Sequence, residues 1–306
     1  MKITIVGAGS IGTLFGSILF QAGQDVTLVE KRHEIVEAIR KNGLKIIRGA
    51  DEKVLKIKIT ENIEEAANPD LIMFTVKSYD NVTAARDCLK IIGPNTTILT
   101  LQNGVGNYEI IASIVGEERT VVGTTTFGST QYAPGCTRGS ETGSISIGEF
   151  AGGISERIST LARQLREGGF EVFEVDNVNK LIWTKLAVNV GINAIGTLCN
   201  FENLYTSKIE EAGLLQKQAV EEVAAVAKAK GLDLDYDHLY QHVVDVSEST
   251  AKNKCSMLQD VENKNLTEVL TINGAIMEEG KKLGISTPIN FVLTNLVKAK
   301  ETYHHR

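Results

Sequence analysis

The chain has 306 residues, of which 42% are hydrophobic and 23% charged, and its formal net charge is −6. That length predicts about two domains, each with its own core, in a soluble globular protein of ordinary composition. The acidic balance and the lack of any long Lys/Arg run argue against nucleic acid as a partner. The four scattered cysteines (Cys88, Cys136, Cys199, Cys255) form no C-x-x-C pair, which argues against a zinc site or a disulfide framework and suits a reducing cytoplasm.

In chain order, residues 2–6 form a β-branched apolar run that predicts a buried strand. It runs into Gly7-Ala8-Gly9-Ser10-Ile11-Gly12, then a helix-like stretch over 13–21, and a second strand over 25–29 with Glu30 at its tip. This is G-x-G-x-x-G in its strand–helix–strand setting and predicts dinucleotide binding. Gly7 would allow the tight turn, Gly9 the approach of a pyrophosphate, and Gly12 the helix–strand contact, with the pyrophosphate on the helix N-terminus. Residues 3–24 carry no charge and superficially resemble a signal sequence or membrane span. Their glycines and hydroxyl residues make a poor membrane helix, so no membrane association is expected.

Residues 32–41 predict a helix closed by Asn42-Gly43, and 44–47 with 54–59 a pair of short strands around Gly49-Ala50-Asp51. The runs 71–76 and 97–101 read as strands inside a parallel sheet, with a helix over 79–91 between them. Lys77-Ser78 and Gln102-Asn103-Gly104 follow at the strand tips, where open α/β sheets bind ligands. Residues 121–148 read as a β-meander finishing the sheet, 154–168 as a helix and 170–175 as a last strand. Beyond Asp176 the periodicity is helical, over 181–199, 209–230, 237–249, 268–283 and 288–303. A Rossmann-like α/β domain over 1–176 and an all-α domain over 177–306 are therefore expected. The polar tail 303–306 suggests no role.

Residues 181–199 hold one charged side chain, Lys185, in an otherwise apolar helix, so that lysine should be buried. Asn189 and Asn193 follow at i+4 and i+8 and form one polar stripe with it. The stripe could pair with a neighbouring helix or meet a polar ligand; asparagine, a mediocre helix former, is an odd choice for a merely solvated face. Chemically, an ammonium suits carbonyl reduction, because it stabilises the charge that grows on oxygen and delivers the proton. Burial lowers a lysine's pKa toward neutrality.

These motifs together resemble the ketopantoate reductase family, nearly end to end. They are Gly7-Ala-Gly-Ser-Ile-Gly12, Val76-Lys-Ser-Tyr79, Leu101-Gln-Asn-Gly104, Trp183-Thr-Lys-Leu-Ala-Val-Asn189 through Ile192-Asn193, Asn203, Ser256-Met-Leu-Gln-Asp260, Thr267-Glu268 and Gly284-Ile-Ser-Thr-Pro-Ile289. The resemblance implies a Rossmann domain followed by a helical domain like the C-terminal domain of 6-phosphogluconate dehydrogenase. It implies NADPH-dependent reduction of a small 2-oxo acid, 2-dehydropantoate, to (R)-pantoate for coenzyme A synthesis, in a cytoplasmic enzyme expected to be a homodimer.

It further implies Lys185 as general acid, with Glu268 bonding the substrate or holding the lysine. Asn189, Asn193, Asn203 and Ser256 would line the substrate pocket. Lys77 and Asn103 would lie between nicotinamide and substrate, and these two and Glu268 would also touch the cofactor, which Gly7, Ala8, Gly9, Ser10, Ile11 and Gly12 would cradle. On the residues alone, Lys77 could equally cap a strand end, Asn103-Gly104 is an ordinary turn dipeptide, and Glu268 could be the N1 acid of a helix after Thr267. Lys31 and Arg32 are expected to meet the 2′-phosphate of NADPH, whereas Glu30 would suit the free 2′-hydroxyl of NADH. Another 2-oxo acid or 3-hydroxy acid dehydrogenase, or a non-catalytic nucleotide sensor, are the competing readings.

Overall fold

The computed structural model describes residues 1–304. It divides into two compact units, Met1–Gln102 with Asn107–Val178, and Asn103–Gly106 with Asn179–Arg306. The tetrapeptide 103–106 thus belongs to the second unit although its chain neighbours belong to the first.

The first unit carries twelve strands and five helices. They run β1 (Lys2–Val6), α1 (Ser10–Gln21), β2 (Asp25–Val29), α2 (His33–Asn42), β3 (Leu44–Arg48), β4 (Asp51–Leu55), β5 (Lys58–Thr60), β6 (Leu71–Phe74), α3 (Asn81–Cys88), β7 (Thr97–Thr100) and α4 (Asn107–Val115). There follow β8 (Thr120–Thr125), β9 (Ser129–Ala133), β10 (Cys136–Gly139), β11 (Ser144–Gly148), α5 (Glu156–Glu167) and β12 (Glu171–Glu174). Eight strands form one sheet in the order β12-β11-β8-β7-β6-β1-β2-β5, parallel except where β8 meets β11. Strand order reverses between β1 and β6, so the glycine turn after β1 and the tip of β6 flank the switch point at which such sheets bind nucleotides. The central strands β1 and β6 are apolar runs with almost no exposure, as strands covered on both faces require.

A second sheet, in the order β4-β3-β10-β9, departs from the expected organisation. The run 54–59 alternates like one strand, but its first residues pair with β3 while Lys58–Thr60 pairs with β2. The meander also divides: β8 and β11 finish the large sheet, whereas the β9–β10 hairpin leaves it to pair with β3. The small sheet packs on α1, where Thr13 Oγ1 meets Thr137 Oγ1 at 2.7 Å and a Cβ on Gly139 would run into Leu14. Helix α4 was not anticipated.

The second unit is helical: α6 (Val178–Cys199), α7 (Tyr205–Lys208), α8 (Glu210–Ala229), α9 (Tyr236–Ser249), α10 (Ser256–Glu262), α11 (Asn273–Leu283) and α12 (Pro288–His304). Of the polar tail, Tyr303 and His304 end α12, and the last two residues lie outside the described ones. Helix α6 alone is long and apolar enough to cross a membrane among the described residues, yet most of it is buried in this unit's core. Trp183, Leu186, Val190 and Ile195 pack there with Val220 and Val223 of α8, Leu258, Ile276 and Leu293. At roughly 1.5–3 kcal/mol for each large apolar side chain withdrawn from water, this packing outweighs the weak helix propensity of the valines and asparagines. At its end Asn200 turns left-handed (φ 58°) and Phe201 N–H donates to the Gly196 carbonyl at 2.9 Å, closing the helix as a Schellman-type cap.

Candidate active site

In the first unit, Gly7 adopts φ 103°, and a Cβ on Gly12 would stand 1.9 Å from the Gly7 carbonyl oxygen. No larger residue fits either position. Above Gly9 the space is open, the nearest atom to a notional Cβ being Arg32 Nη2 at 3.8 Å. Helix α1 begins with neither a capping side chain nor an acid in its first turn. Its leading amides (Ser10, Ile11, Gly12) are therefore not answered by a local anion, and the turn fits a dinucleotide's pyrophosphate. The tip of β6 is bound to the same turn: Thr75 Oγ1 donates to the Gly7 carbonyl at 2.8 Å, and Lys77 follows two residues later. Gln102, at the tip of β7, donates to the Val76 carbonyl and to Asn81 Oδ1, both at 2.7 Å.

Glu30 ends β2 and is buried. Its Oε2 accepts from the Ala8 amide of the glycine turn at 2.9 Å, and Arg32 clasps both oxygens through Nε and Nη2 at 3.0 and 2.8 Å. Burial pushes the carboxyl pKa up, but the hydrogen bonds and charge of Arg32, with the Arg32 and Ala8 amides, outweigh it and hold the group below its ordinary value. Lys31 pairs with Asp87 of α3 at 2.9 Å. Both basic residues expected at a 2′-phosphate are therefore engaged by carboxylates.

In the second unit, Lys185 lies partly buried on α6, and withdrawal of its ammonium from water drives its pKa down to about 8 against the opposing field of Glu268. A lysine poised there is an effective acid near neutrality. Asn189 and Asn193 follow on the same helix, and each has a buried Nδ2 without a hydrogen-bond partner among the described residues. Native interiors seldom leave such donors unmet, so the stripe has the character of a ligand surface.

Glu268 does not open a helix. Helix α11 starts only at Asn273, and Glu268 lies in an irregular turn held by its neighbours. Thr267 donates both its amide (2.7 Å) and its hydroxyl (2.5 Å) to buried Glu301 of α12, while the Glu268 carbonyl accepts from the Thr271 amide at 3.1 Å. The same turn receives the tetrapeptide 103–106: Val105 N–H donates to the Thr271 carbonyl at 3.0 Å, and Gly104, at φ 87°, passes so close that a Cβ would stand 2.2 Å from that oxygen. Asn103 and Glu268 are thereby brought onto one construction, which neither Gly104 nor Thr271 announces in the sequence.

Asn203 is buried and Ser256 exposed, and their loops are joined by the Asn203 amide donating to the Asn253 carbonyl at 2.9 Å. Buried Cys255 caps α10, its Sγ accepting from the Leu258 amide (3.4 Å), and reaches the Asn193 carbonyl at 3.5 Å, linking Ser256's neighbour to the polar stripe.

Residues 3–152 match the family model described as ketopantoate reductase PanE/ApbA, and residues 177–301 match its C-terminal model. The chain is 35% identical to the 2-dehydropantoate 2-reductase of Pyrococcus horikoshii over 99% of this chain and 98% of that one. Among solved structures, the ternary structure of D-mandelate dehydrogenase with NADH and anilino(oxo)acetate superposes with a TM-score of 0.95 at 31% identity, covering 100% of both chains. The PanE/ApbA family ketopantoate reductase from Ralstonia eutropha JMP134 gives a TM-score of 0.92 at 27% identity, again over 100% of both. With both family models spanning most of its length and their two architectures present in its two units, the chain belongs to the ketopantoate reductase family.

Proposed function

We propose that this enzyme reduces 2-dehydropantoate to (R)-pantoate with NADPH, on the route to pantothenate and coenzyme A. The observation that carries the reading is Lys185, its pKa brought to about 8 on a helix that also presents two unmet buried amide donors. When bound at the glycine turn, NADPH supplies the hydride. The chain's own residues do the rest: the Lys185 ammonium hydrogen-bonds the substrate oxygen, stabilises the negative charge that grows there and delivers the proton. Glu268 favours the charged lysine through its field. Asn189 and Asn193 orient the acid through Nδ2, and Asn103, Asn203, Ser256 and Lys77 complete the binding set. A cytoplasmic homodimer belongs to the same reading, supported by four free cysteines and by Val292, Leu296 and Tyr303 exposed along α12. The test is NADPH oxidation with a panel of 2-oxo acids. 2-Dehydropantoate should give a kcat/KM at least about tenfold above the others; failure to turn it over rejects the reading.

One observation favours a second reading, in which NADH and a different 2-oxo acid are the natural pair. Arg32 and Lys31 are both committed to carboxylates, and Glu30 suits a ribose 2′-hydroxyl. The structural neighbour described with NADH is a D-mandelate dehydrogenase. Comparing kcat/KM for the two cofactors decides between them: a preference for NADH of about tenfold or more, weakened in Glu30→Ala, replaces NADPH in the account.

A further inference from the structure

Three asparagines expected at the substrate, Asn189, Asn193 and Asn203, differ in what they leave unmet. Asn189 and Asn193 each leave a donor, Nδ2, whereas Asn203 leaves an acceptor, Oδ1, buried and without a partner among the described residues. The orientation of the Asn203 amide follows from Thr250. The Thr250 hydroxyl lies 2.6 Å from the Val246 carbonyl oxygen, which can only accept, so its single proton is used there. Toward Asn203, 2.9 Å away, Thr250 Oγ1 can therefore only accept, and the amide must turn Nδ2 to it. A flipped amide would set two acceptors against each other.

The rest of Asn203 is equally fixed. Its amide donates to the Asn253 carbonyl, and its own carbonyl accepts from Thr206 Oγ1 at 2.7 Å. Thr206 Oγ1 is in turn reached by buried Gln216 Nε2 at 3.1 Å. Asn203 thus offers a single acceptor of fixed aim, which welcomes a hydroxyl and repels a carbonyl or carboxylate.

We propose that Thr250 is a specificity-determining positioning residue: by engaging the Asn203 amide N–H, it leaves Oδ1 as the acceptor that selects 2-oxo acids carrying a hydroxyl group. This rests on the reading above that the three asparagines line the substrate site. The carboxylate and oxo oxygens of the substrate match the two donors, and its hydroxyl matches the acceptor. The same acid without that hydroxyl leaves Oδ1 buried and unpaired, the circumstance in which sites discriminate most strongly.

The test compares 2-dehydropantoate with 3,3-dimethyl-2-oxobutanoate, which has the same branched skeleton and lacks the hydroxyl. Wild type should prefer the hydroxylated acid by at least about 100-fold in kcat/KM. Thr250→Val keeps the shape and removes the acceptor, freeing the amide to turn. Its preference should fall about tenfold or more through a raised KM for 2-dehydropantoate, while kcat with the dimethyl acid changes less than about threefold. Thr250→Ser, which keeps the hydroxyl, should retain the wild-type ratio, and Thr250→Ala repeats the measurement if the valine variant melts early. A ratio unchanged in Val and Ala, or both acids losing the same factor, overturns the role of Thr250. Wild type turning over neither acid overturns the functional reading itself, and the proposal with it.

Discussion

As the proposed general acid, Lys185 should have opposite consequences for activity and for stability. Its pKa falls from the ordinary lysine value to about 8 on folding, so between those pH values the unfolded chain binds more protons than the folded one. The penalty for burying the ammonium is complete below about pH 8 and fades as the pH rises toward 10.5. At one decade of equilibrium constant per pKa unit it amounts to as much as about 3 kcal/mol at pH 7. Lys185→Met should therefore raise the urea midpoint at pH 7, with the gain shrinking above pH 9, while kcat falls by about 10²–10⁴-fold. In wild type, kcat for reduction should decline above about pH 8 as the acid loses its proton, and the reverse oxidation should gain. A variant that loses stability at pH 7, or a reduction rate flat from pH 7 to 10, would remove the lysine from this role. The lysine's isolation was legible in the sequence because it is the one charge in a long apolar run. The proposed role of Thr250 was not, since a threonine at a helix end reads as nothing more than a cap.

Among the elements, the turn 267–272 is the one that ties Glu268 and the 103–106 tetrapeptide together in the proposed site. Its sequence continues the helical periodicity of α11, so a helix from Glu268 was the natural expectation. Tertiary structure overrides it: the Thr271 carbonyl accepts from Val105 N–H instead of from a residue one helical turn later, and Thr267 is fixed by Glu301. Local patterning cannot register a partner more than 160 residues away in the chain. The two attachments should respond differently to substitution. Gly104→Ala places a side chain against the Thr271 carbonyl at a left-handed backbone position, which should cost about 2–4 kcal/mol and lower kcat/KM at least about tenfold by displacing Asn103 and Glu268. Glu301→Gln keeps an acceptor for Thr267 but loses the charge assistance and the ion pair of Oε2 with Lys298 Nζ at 2.6 Å, so about 1–2 kcal/mol is expected, with kcat within about fivefold of wild type. Chemical denaturation and steady-state kinetics on both variants check the order; equal effects would mean that the turn is held by something other than these two contacts.

At the scale of the whole chain, the central strands β1, β2, β6 and β7 of the large sheet could be read from the sequence because each is a largely buried run of apolar and β-branched residues. The four-stranded sheet could not, since it is assembled from pieces separated by about ninety residues whose alternation is satisfied equally well by either sheet. What results is a molecule with separate cores: Leu14, Phe15, Leu28 and Ile145 belong to one in the first unit, and Trp183, Val190, Val223 and Leu293 to that of the second. Separate cores predict unfolding in more than one step. Calorimetry should show two overlapping transitions whose total enthalpy exceeds the van't Hoff value of either. The glycine turn and Glu30 lie wholly in the first unit, so cofactor at about 100 times its Kd should stabilise that unit by about 2.7 kcal/mol. For a unit of this size the shift is about 5–10 °C in one transition, with the other lagging behind it. Gly12→Ala, whose Cβ would collide with the Gly7 carbonyl, should abolish the shift and lower the same transition. A single transition with matching enthalpies, moved as a whole by cofactor, would show instead that the two cores melt as one cooperative body.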